Sequence, residues 1–468
     1  MSQLLLAIDE GTSSARAIVF TSQGEIVGLG RRSFSLYYPH SGWVEQDAEE
    51  VWQAQYEALQ EALQTASAKP GDIAAIGVTN QRETTIAWNP STGKPYTKAI
   101  VWQDRRTADM CSQLSQHREK VRQKTGLVID PYFSATKIAW LLREGGVPAD
   151  ALFGTVDSWL LYNLTGKAAT DVSNASRTML WNLHMKQWDE ELLSLFGIQQ
   201  HNLPPVQPSG SFFGEAKLGG KPIPILSVLG DQQAALYGHG AYSPGQAKNT
   251  YGTGCFLLKN IGTQPLPAPE GLITTVAWQK EGEPVYYAWE AAIFNAAVAL
   301  QWLEQIGILR SYSELDSLQG SAGDVYFVPA FTGLGAPYWD PYARGIIVGL
   351  TRETSRTTLL LAALEAIAYQ SAEAIELFGD IDILYVDGGV SVNEHLMQLQ
   401  ADLAGCKVLR PVHGEVTAWG VAAMAGQVAG LSVGPLQPAR TWSPQGPRRS
   451  LDRWKEAVRR AQHWALPA

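Results

Sequence analysis

The first strand-like segments constrain the fold of this chain more than any other part of it. Residues 4–8 form an apolar run typical of a buried strand, and residues 9–14 lead into a second strand-like stretch at 15–20. A Gln-Gly turn at 23–24 then predicts a third strand from residue 25. This β-meander excludes a P-loop or Rossmann site, which places its Gly-rich loop between a strand and a helix. Neither GxxxxGK[ST] nor GxGxxG occurs in the sequence.

Strand and helix patterns alternate along the rest of the chain. Residues 51–67 have helical spacing, and residues 223–237 predict a strand followed directly by a helix. Residues 354–377 predict a long amphipathic helix with one apolar face. Such alternation indicates an α/β protein.

The length of 468 residues indicates more than one domain. Gly and Pro interrupt the apolar pattern at 239–246, and a second loop of small and hydroxyl residues follows at 249–254. We therefore expect an N-terminal domain over residues 1–243 and a C-terminal domain over residues 244–468. A Pro-rich stretch at 437–449 predicts a surface connection.

Composition limits the partners and the compartment. A net charge of −9 without a basic stripe argues against nucleic acid. The three cysteines, Cys111, Cys255 and Cys406, are far apart and odd in number, which fits a reducing compartment. The N-terminus lacks the pattern of a signal peptide, and apolar runs such as 359–363 are much shorter than a membrane span. We expect a cytoplasmic protein without membrane insertion.

The loop after the first strand has groups that suit a phosphate and its cation. Asp9 ends the strand, as a carboxylate for a hydrated divalent cation would, and the turn at 11–13 offers N–H groups and hydroxyls. Arg16 adds a positive charge nearby. Alone, Asp-x-Gly is more often a simple turn. Because the second loop at 252–253 repeats Gly-Thr, a nucleoside triphosphate clamped between two domains becomes the favoured interpretation.

Asp231 lies where a predicted strand ends and a helix begins, a position at which α/β enzymes place ligands. A carboxylate there could accept a hydroxyl proton during phosphoryl transfer, or it could merely cap the helix. Position alone does not separate the two interpretations.

Arg82 and Glu83 form a donor and acceptor pair that could bind adjacent hydroxyls, although such a pair is more often an exposed turn. Trp102, Tyr132 and Phe256 are aromatic residues beside polar clusters. Each alone is more often a core residue. Together they could form the apolar wall of a small-polyol site.

Seven motifs occur in order along the chain: VTNQRETT (78–85), AIVWQDRRT (99–107), TGLVIDPYFSATK (125–137), NASRTML (174–180), GDQQAAL (230–236), KNTYGTGCF (248–256) and PAFTGLGAPYWDPYARG (329–345). With these motifs the sequence resembles the FGGY carbohydrate kinase family of the actin-like ATPase superfamily, from about Leu5 to Gly426. The resemblance implies an α/β fold of two ribonuclease-H-like domains with the active site in the interdomain cleft.

The resemblance also implies an activity: phosphorylation of glycerol by ATP with Mg²⁺, in a chain that could form a dimer or tetramer. Asp231 is the implied general base, and Asp9 the carboxylate linked to Mg²⁺. The implied polyol contacts are Arg82, Glu83, Trp102, Tyr132, Asp231, Gln232 and Phe256. The implied nucleotide contacts are Thr12, Ser13, Ser14, Arg16, Gly252, Thr253, Ala297, Gln301, Gly389 and Asn393.

Some positions depart from the pattern of the family. Glu10 stands where relatives usually have Gln, so we expect it to point away from the phosphates, to stay protonated or to join the Mg²⁺ shell. Ala297 and Ala291 replace glycines, which could loosen nucleotide binding, and Ala15 replaces a serine.

Three alternatives follow from these features. The chain could act on a longer polyol or a ketose, or it could be a polyol sensor with weakened ATP turnover. It could also be a mechanical ATPase of the actin or chaperone type, although the NQRET and GDQQ motifs argue against this.

Overall fold

The structure of the protein is a computed structural model that describes residues 4–446 and 450–465. The outer ends of the two expected domains, 1–3 and 466–468, lie outside the described residues, as does 447–449 of the expected connection. The N-terminal half has helices of 4 to 18 residues around one large sheet. Its helices are α1 (Ala48–Thr65), α2 (Ala108–Gln113), α3 (Arg118–Thr125), α4 (Ser134–Arg143), α5 (Val156–Thr165), α6 (Val172–Ala175), α7 (Glu190–Phe196) and α8 (Asp231–Gly238).

Six strands form the first large sheet, in the order β13-β14-β5-β1-β2-β3. The predicted meander is confirmed, because β1, β2 and β3 pair antiparallel, while β1, β5 and β14 are parallel neighbours. The strands of this half are β1 (Leu4–Glu10), β2 (Ser14–Phe20), β3 (Ile26–Ser33), β4 (Glu45–Gln46), β5 (Ile73–Asn80), β6 (Ile86–Trp88), β7 (Ala99–Ile100), β8 (Leu152–Gly154), β9 (Thr170–Asp171), β10 (Trp181–Asn182), β11 (Gln187–Trp188), β12 (Val206–Gln207), β13 (Gly214–Ala216) and β14 (Ile223–Gly230).

The C-terminal half builds a seven-stranded sheet in the order β17-β18-β16-β15-β21-β22-β23. Its elements are β15 (Ala247–Tyr251), β16 (Cys255–Gly262), β17 (Ile273–Trp278), β18 (Tyr286–Ile293), α9 (Val298–Gln305), β19 (Tyr326–Val328), β20 (Ile346–Val348), α10 (Arg356–Phe378), β21 (Ile383–Asp387), α11 (Glu394–Ala404), β22 (Lys407–Pro411), α12 (Val416–Val428), β23 (Pro438–Trp442) and α13 (Asp452–Ala461).

The two sheets share one topology. In each, an antiparallel meander adjoins two further parallel strands and ends in an antiparallel edge strand. The order β3-β2-β1-β5-β14-β13 thus matches β18-β16-β15-β21-β22-β23, with β17 added in the second sheet. This repeat confirms the expected pair of ribonuclease-H-like domains. Strand β23 shows that the predicted surface connection at 437–449 is partly wrong, because Pro438–Trp442 pairs with β22.

Helix α12 joins the two halves. It packs on the first sheet and on α8, and Ser227 donates a hydrogen bond to the Val421 carbonyl (2.7 Å). A Cβ on Gly420 would lie 1.9 Å from the Ala234 carbonyl oxygen, and one on Gly238 would lie 2.3 Å from a carbonyl oxygen of α12. The two helices therefore touch through their backbones, and glycine is required at both positions.

Helix α10 differs from its prediction. Every residue from Leu360 to Ile375 is buried, so the helix is a core element covered on all sides, and the prediction of one apolar face is wrong. Among the described residues it alone is long and apolar enough to cross a membrane. However, 89% of that apolar stretch is buried inside the protein, as in the core helix of a globular domain.

Candidate active site

A cavity of about 830 Å³ lies between the two halves. Its walls include Thr12 from the first loop and Thr253 from the second. All seven side chains expected to contact a polyol also line it: Arg82, Glu83, Trp102, Tyr132, Asp231, Gln232 and Phe256.

The first sheet explains why distant residues meet here. Strands β1, β5 and β14 run parallel, so their carboxyl ends lie at one edge of the sheet. The loop with Thr12 follows β1, Arg82 follows β5, and Asp231 begins α8 directly after β14. The Asp231 side chain remains 31% exposed, towards the cavity.

Arg82 is held by a buried network of charges. Its Nη1 and Nη2 donate to the two carboxylate oxygens of Glu290 (2.7 and 2.9 Å), and its Nε lies 3.2 Å from Asp231 Oδ1. Arg177 donates to Glu83 Oε1 (2.6 Å) and to Glu290 Oε1 (3.0 Å). Since Glu290 comes from β18, this network connects the two halves beside the cavity.

The network sets the charges of its members. Burial opposes ionisation of Glu290, but Arg177 and Arg82 together hold its pKa below the ordinary value. At Asp231 burial outweighs the attraction of Arg82 and Lys248, so its pKa is raised. The Asp231 carboxylate is consequently a stronger proton acceptor than an exposed aspartate.

Glu83 has a backbone conformation unusual for its residue type. Its φ is +62°, in the left-handed region. The hydroxyls of Thr85 and Ser134 both donate to its carbonyl (3.1 Å each) and hold this conformation. Such strain costs about 1–3 kcal/mol and is concentrated at functional sites.

Aromatic side chains from both halves form one wall of the cavity. The ring of Trp102 lies 5.8 Å from that of Tyr132 and 6.1 Å from that of Phe256, in edge-to-face geometry. The indole N–H of Trp102 donates to Thr12 Oγ1 (2.9 Å). An apolar wall facing the charged network suits a ligand with a carbon face and a hydroxyl face.

On the expected phosphate side, Arg16 lies between two carboxylates. Its Nη2 is 2.5 Å from Asp9 Oδ2, and its Nη1 is 2.8 Å from Oε2 of Glu415, which comes from the second half. Ser13 and Ser14 lie beside Thr12 in the same loop or at its end.

Asp9 suits a cation site in which most of the ligands to the metal come from the substrate. The described residues contain no cluster of three metal-binding side chains. Mg²⁺ commonly binds through one or two carboxylates together with substrate phosphates, and Asp9 offers such a carboxylate beside the loop.

The expected nucleotide contacts of the second half lie around α9 and at the end of β21. Ala297 donates its backbone N–H to the Gly252 carbonyl (3.3 Å), which joins the helix to the Gly-Thr loop. Gln301 and Gly389 are exposed. The Asn393 side chain caps α11 and donates to the Leu315 carbonyl (3.0 Å). Their nucleotide roles remain predictions.

Glu10 is fully buried, and neither of its carboxylate oxygens has a hydrogen-bond partner. By strand alternation it shares a face of β1 with Leu6 and Ile8, which pack in the core, whereas Asp9 lies on the other face. Burial, reinforced by the negative charge of Asp9, raises the pKa of Glu10 well above its ordinary value. The side chain therefore points into the core, away from the phosphate loop, and its raised pKa favours the protonated form. Ala15 and Ala291, the other two positions that depart from the pattern of the family besides Ala297, have fully buried side chains.

Sequence reasoning missed three charged residues of this region. Arg177 and Lys248 lie inside motifs quoted above but had no role assigned to them. Glu290 interrupts the apolar strand β18, and a buried-strand pattern broken by one charge was a signal that could have identified it.

Two domains of this repeated topology, with a ligand cavity between them, define the actin-like ATPase class of fold. Within that class, the N-terminal domain model of the FGGY family of carbohydrate kinases matches residues 4–238, and the C-terminal domain model matches residues 247–429. The chain belongs to the FGGY family of carbohydrate kinases.

Individual relatives cover almost the whole chain. It is 47% identical to a glycerol kinase of Rhodopirellula baltica, over 98% of this chain and 91% of the relative. It is also 47% identical to glycerol kinase 2 of Thermotoga maritima, over 98% and 99%. The crystal structure of Plasmodium falciparum glycerol kinase with ADP superimposes with a TM-score of 0.89 at 31% identity, covering 98% of each chain.

Proposed function

We propose that this protein is an ATP-dependent kinase that phosphorylates glycerol to sn-glycerol 3-phosphate. The observation that carries the proposal is the convergence of all seven expected polyol contacts on one cavity between the halves. The identity to glycerol kinases over nearly the full length supports the same substrate.

The acceptor would be bound by complementary groups. Each hydroxyl both donates and accepts a hydrogen bond, and the Arg82 guanidinium with the Glu83 and Asp231 carboxylates offers both functions. Trp102 and Phe256 would cover the carbon skeleton, one from each half. Closure of the two halves would then exclude water from the reacting oxygen.

Asp231 would act as the general base. Its carboxylate faces the cavity, and its raised pKa favours proton capture from the attacking hydroxyl. Arg82, 3.2 Å away, would stabilise the ionised form before transfer. Positioning and charge are the main contributions that a protein makes to phosphoryl transfer.

ATP would bind between the Gly-Thr loops, through Thr12, Ser13, Ser14, Arg16, Gly252 and Thr253, and its adenosine would contact Ala297, Gln301, Gly389 and Asn393. Asp9 would hold Mg²⁺. When bound, the cation neutralises negative charge on the phosphate oxygens.

We further propose that the working domains are residues 1–243 and 244–468, and that the enzyme acts in the cytoplasm. The three cysteines are free and buried, which supports a reducing compartment. A dimer or tetramer remains part of the proposal.

The test is a coupled ADP-release assay with Mg-ATP, with and without glycerol. Glycerol-dependent turnover is expected, with sn-glycerol 3-phosphate as product. Glycerol binding without turnover would instead indicate a sensor, and ATP hydrolysis indifferent to glycerol would indicate a mechanical ATPase.

A longer polyol or ketose is the second candidate, because a cavity of about 830 Å³ is larger than a three-carbon triol requires. Initial rates with glycerol, dihydroxyacetone, erythritol and xylulose would decide between them. A site built to bind hydroxyls discriminates strongly against analogues that leave its polar groups unpaired. Higher kcat/KM for erythritol or xylulose than for glycerol would refute the assignment of glycerol.

A further inference from the structure

Lys248 is a buried lysine that contacts two residues of the candidate site. It lies on β15, and its side chain is fully buried. Its ammonium has three hydrogen-bond acceptors: Gln232 Oε1, Thr250 Oγ1 (2.9 Å) and the carbonyl oxygen of Phe256 (3.1 Å). Two of these three residues, Gln232 and Phe256, line the cavity.

We propose that Lys248 is a positioning residue for phosphoryl transfer. Its ammonium fixes Gln232 of the first half and Phe256 of the second against the acceptor, and its charge favours the ionised form of Asp231. This inference rests on the proposed function, because it assigns a role within the same acceptor site.

Burial of an ammonium group is costly unless its donors are satisfied, and here all three protons have an acceptor.

None of the described carboxylates lies within ion-pair distance of Lys248. Its charge therefore acts on the surrounding groups at longer range. Those that face it are Asp387 of β21, Asp231 of α8, Arg82 after β5 and Glu290 of β18.

The balance of these groups leaves the lysine charged at neutral pH. Burial lowers the pKa of Lys248 to about 8, although Asp387 and Asp231 oppose this shift. In return, Lys248 is one of two cations that limit the rise in the pKa of Asp231. Loss of the ammonium should therefore raise the pKa of Asp231 further.

The decisive variant is Lys248→Met, which keeps the length of the side chain and removes the charge. The dissociation constant for glycerol should rise about tenfold, since hydrogen bonds to a charged group are lost. The acid limb of the kcat profile should also move to higher pH by about one unit, the usual effect of one nearby opposite charge. A purely structural role would lower stability without moving that limb.

The matched control is Lys259→Met on the adjacent strand β16. Lys259 pairs across the sheet with Ala247 and donates to the carbonyls of Phe378 and Asp380, away from the cavity. This variant should keep the glycerol affinity and the pH profile of the wild type.

Thr250→Val serves as a second variant that removes one acceptor of the ammonium without removing the charge. It should weaken glycerol binding in the same direction, by a smaller factor. If Lys248→Met does not fold, an unchanged glycerol affinity in Thr250→Val would overturn the role of Lys248.

The wild type is run in the same assays. Suppose that the wild type turns over glycerol and that Lys248→Met folds. If the variant then keeps the wild-type dissociation constant for glycerol and the wild-type acid limb of the kcat profile, the role of Lys248 is overturned but the proposed function is not. Absence of glycerol turnover in the wild type would overturn the proposed function, and this role with it.

Discussion

Arg82 and Glu290 form a doubly hydrogen-bonded ion pair, 2.7 and 2.9 Å long, in which both side chains are buried. They lie 208 residues apart in the chain and belong to different halves of the molecule. The pair holds the Arg82 guanidinium in an orientation that places its Nε 3.2 Å from Asp231 Oδ1. It therefore links the geometry of the acceptor site to the packing of the two domains.

Glu290→Gln should weaken glycerol binding and lower stability together. The amide keeps the shape but leaves Arg82 and Arg177 with less negative charge in a buried site, and breaking such a pair costs about 3–5 kcal/mol. Glycerol titration calorimetry and thermal unfolding measure the two effects. Glu283→Gln, at an exposed pair with Lys280, is the control. Wild-type glycerol affinity in Glu290→Gln would contradict the positioning of Arg82 by Glu290.

Asp231→Asn should lower kcat by about 10²–10⁴-fold, the usual contribution of general-base catalysis. Glycerol should still bind, because the amide retains one acceptor oxygen and the other contacts remain. Steady-state kinetics and calorimetry together separate these effects. A loss of only a few-fold in kcat would remove Asp231 from the role of base.

Glu10→Gln should raise the melting temperature at neutral pH. The native carboxyl group is fully buried without a partner, and an unsatisfied buried polar group costs about 1–3 kcal/mol. Burial raises the pKa of this carboxyl group well above its ordinary value, so folding at neutral pH requires binding a proton there, and the amide of equal size removes that cost. Differential scanning calorimetry compares the variant with Glu25→Gln, which alters an exposed carboxylate. A lower melting temperature for Glu10→Gln would show that the carboxylate has a stabilising partner.

The buried carboxyl group of Asp157 should make the stability of the folded protein depend on pH. It is buried on α5 and accepts hydrogen bonds from Thr155 and from Thr170 (2.6 Å). Burial raises its pKa to about 7, although both hydroxyls oppose the shift. A raised folded-state pKa means that its contribution to stability is full below the unfolded value, near 3.9, and is lost as pH rises through 7.

The wild type should consequently lose stability relative to Asp157→Asn between about pH 4 and pH 7. Urea unfolding of both proteins across this range measures the difference. The test is how the difference in unfolding free energy between the two proteins changes with pH. Its size at any one pH is not informative, because an amide changes the local hydrogen bonds at every pH. A difference that stays constant with pH would contradict the raised pKa.

Local patterns predicted much of the fold. The meander, the helix of residues 51–67 (observed as Ala48–Thr65) and the strand–helix junction at Asp231 were all visible in the sequence. Each depends on periodicity and turn residues within a short window, so neighbouring residues suffice. The polyol residues were found through motifs, and the structure brings all seven to one cavity.

Two local predictions failed for an identifiable reason. Helix α10 is buried on all sides because other elements cover its polar positions, including Glu365 and Glu373, and the strand Pro438–Trp442 exists only because β22 offers an edge to pair with. Neither fact is encoded in the segment itself.

The amino-acid order by itself determined most of the strands and helices and which loops carry the Gly-Thr turns. Only the tertiary structure decided that Glu290 holds Arg82 and that Lys248 contacts Gln232, since these partners come from different elements. The physical reason is that a buried charge is stable only where its counter-charges and acceptors converge, and that convergence depends on how the two sheets pack.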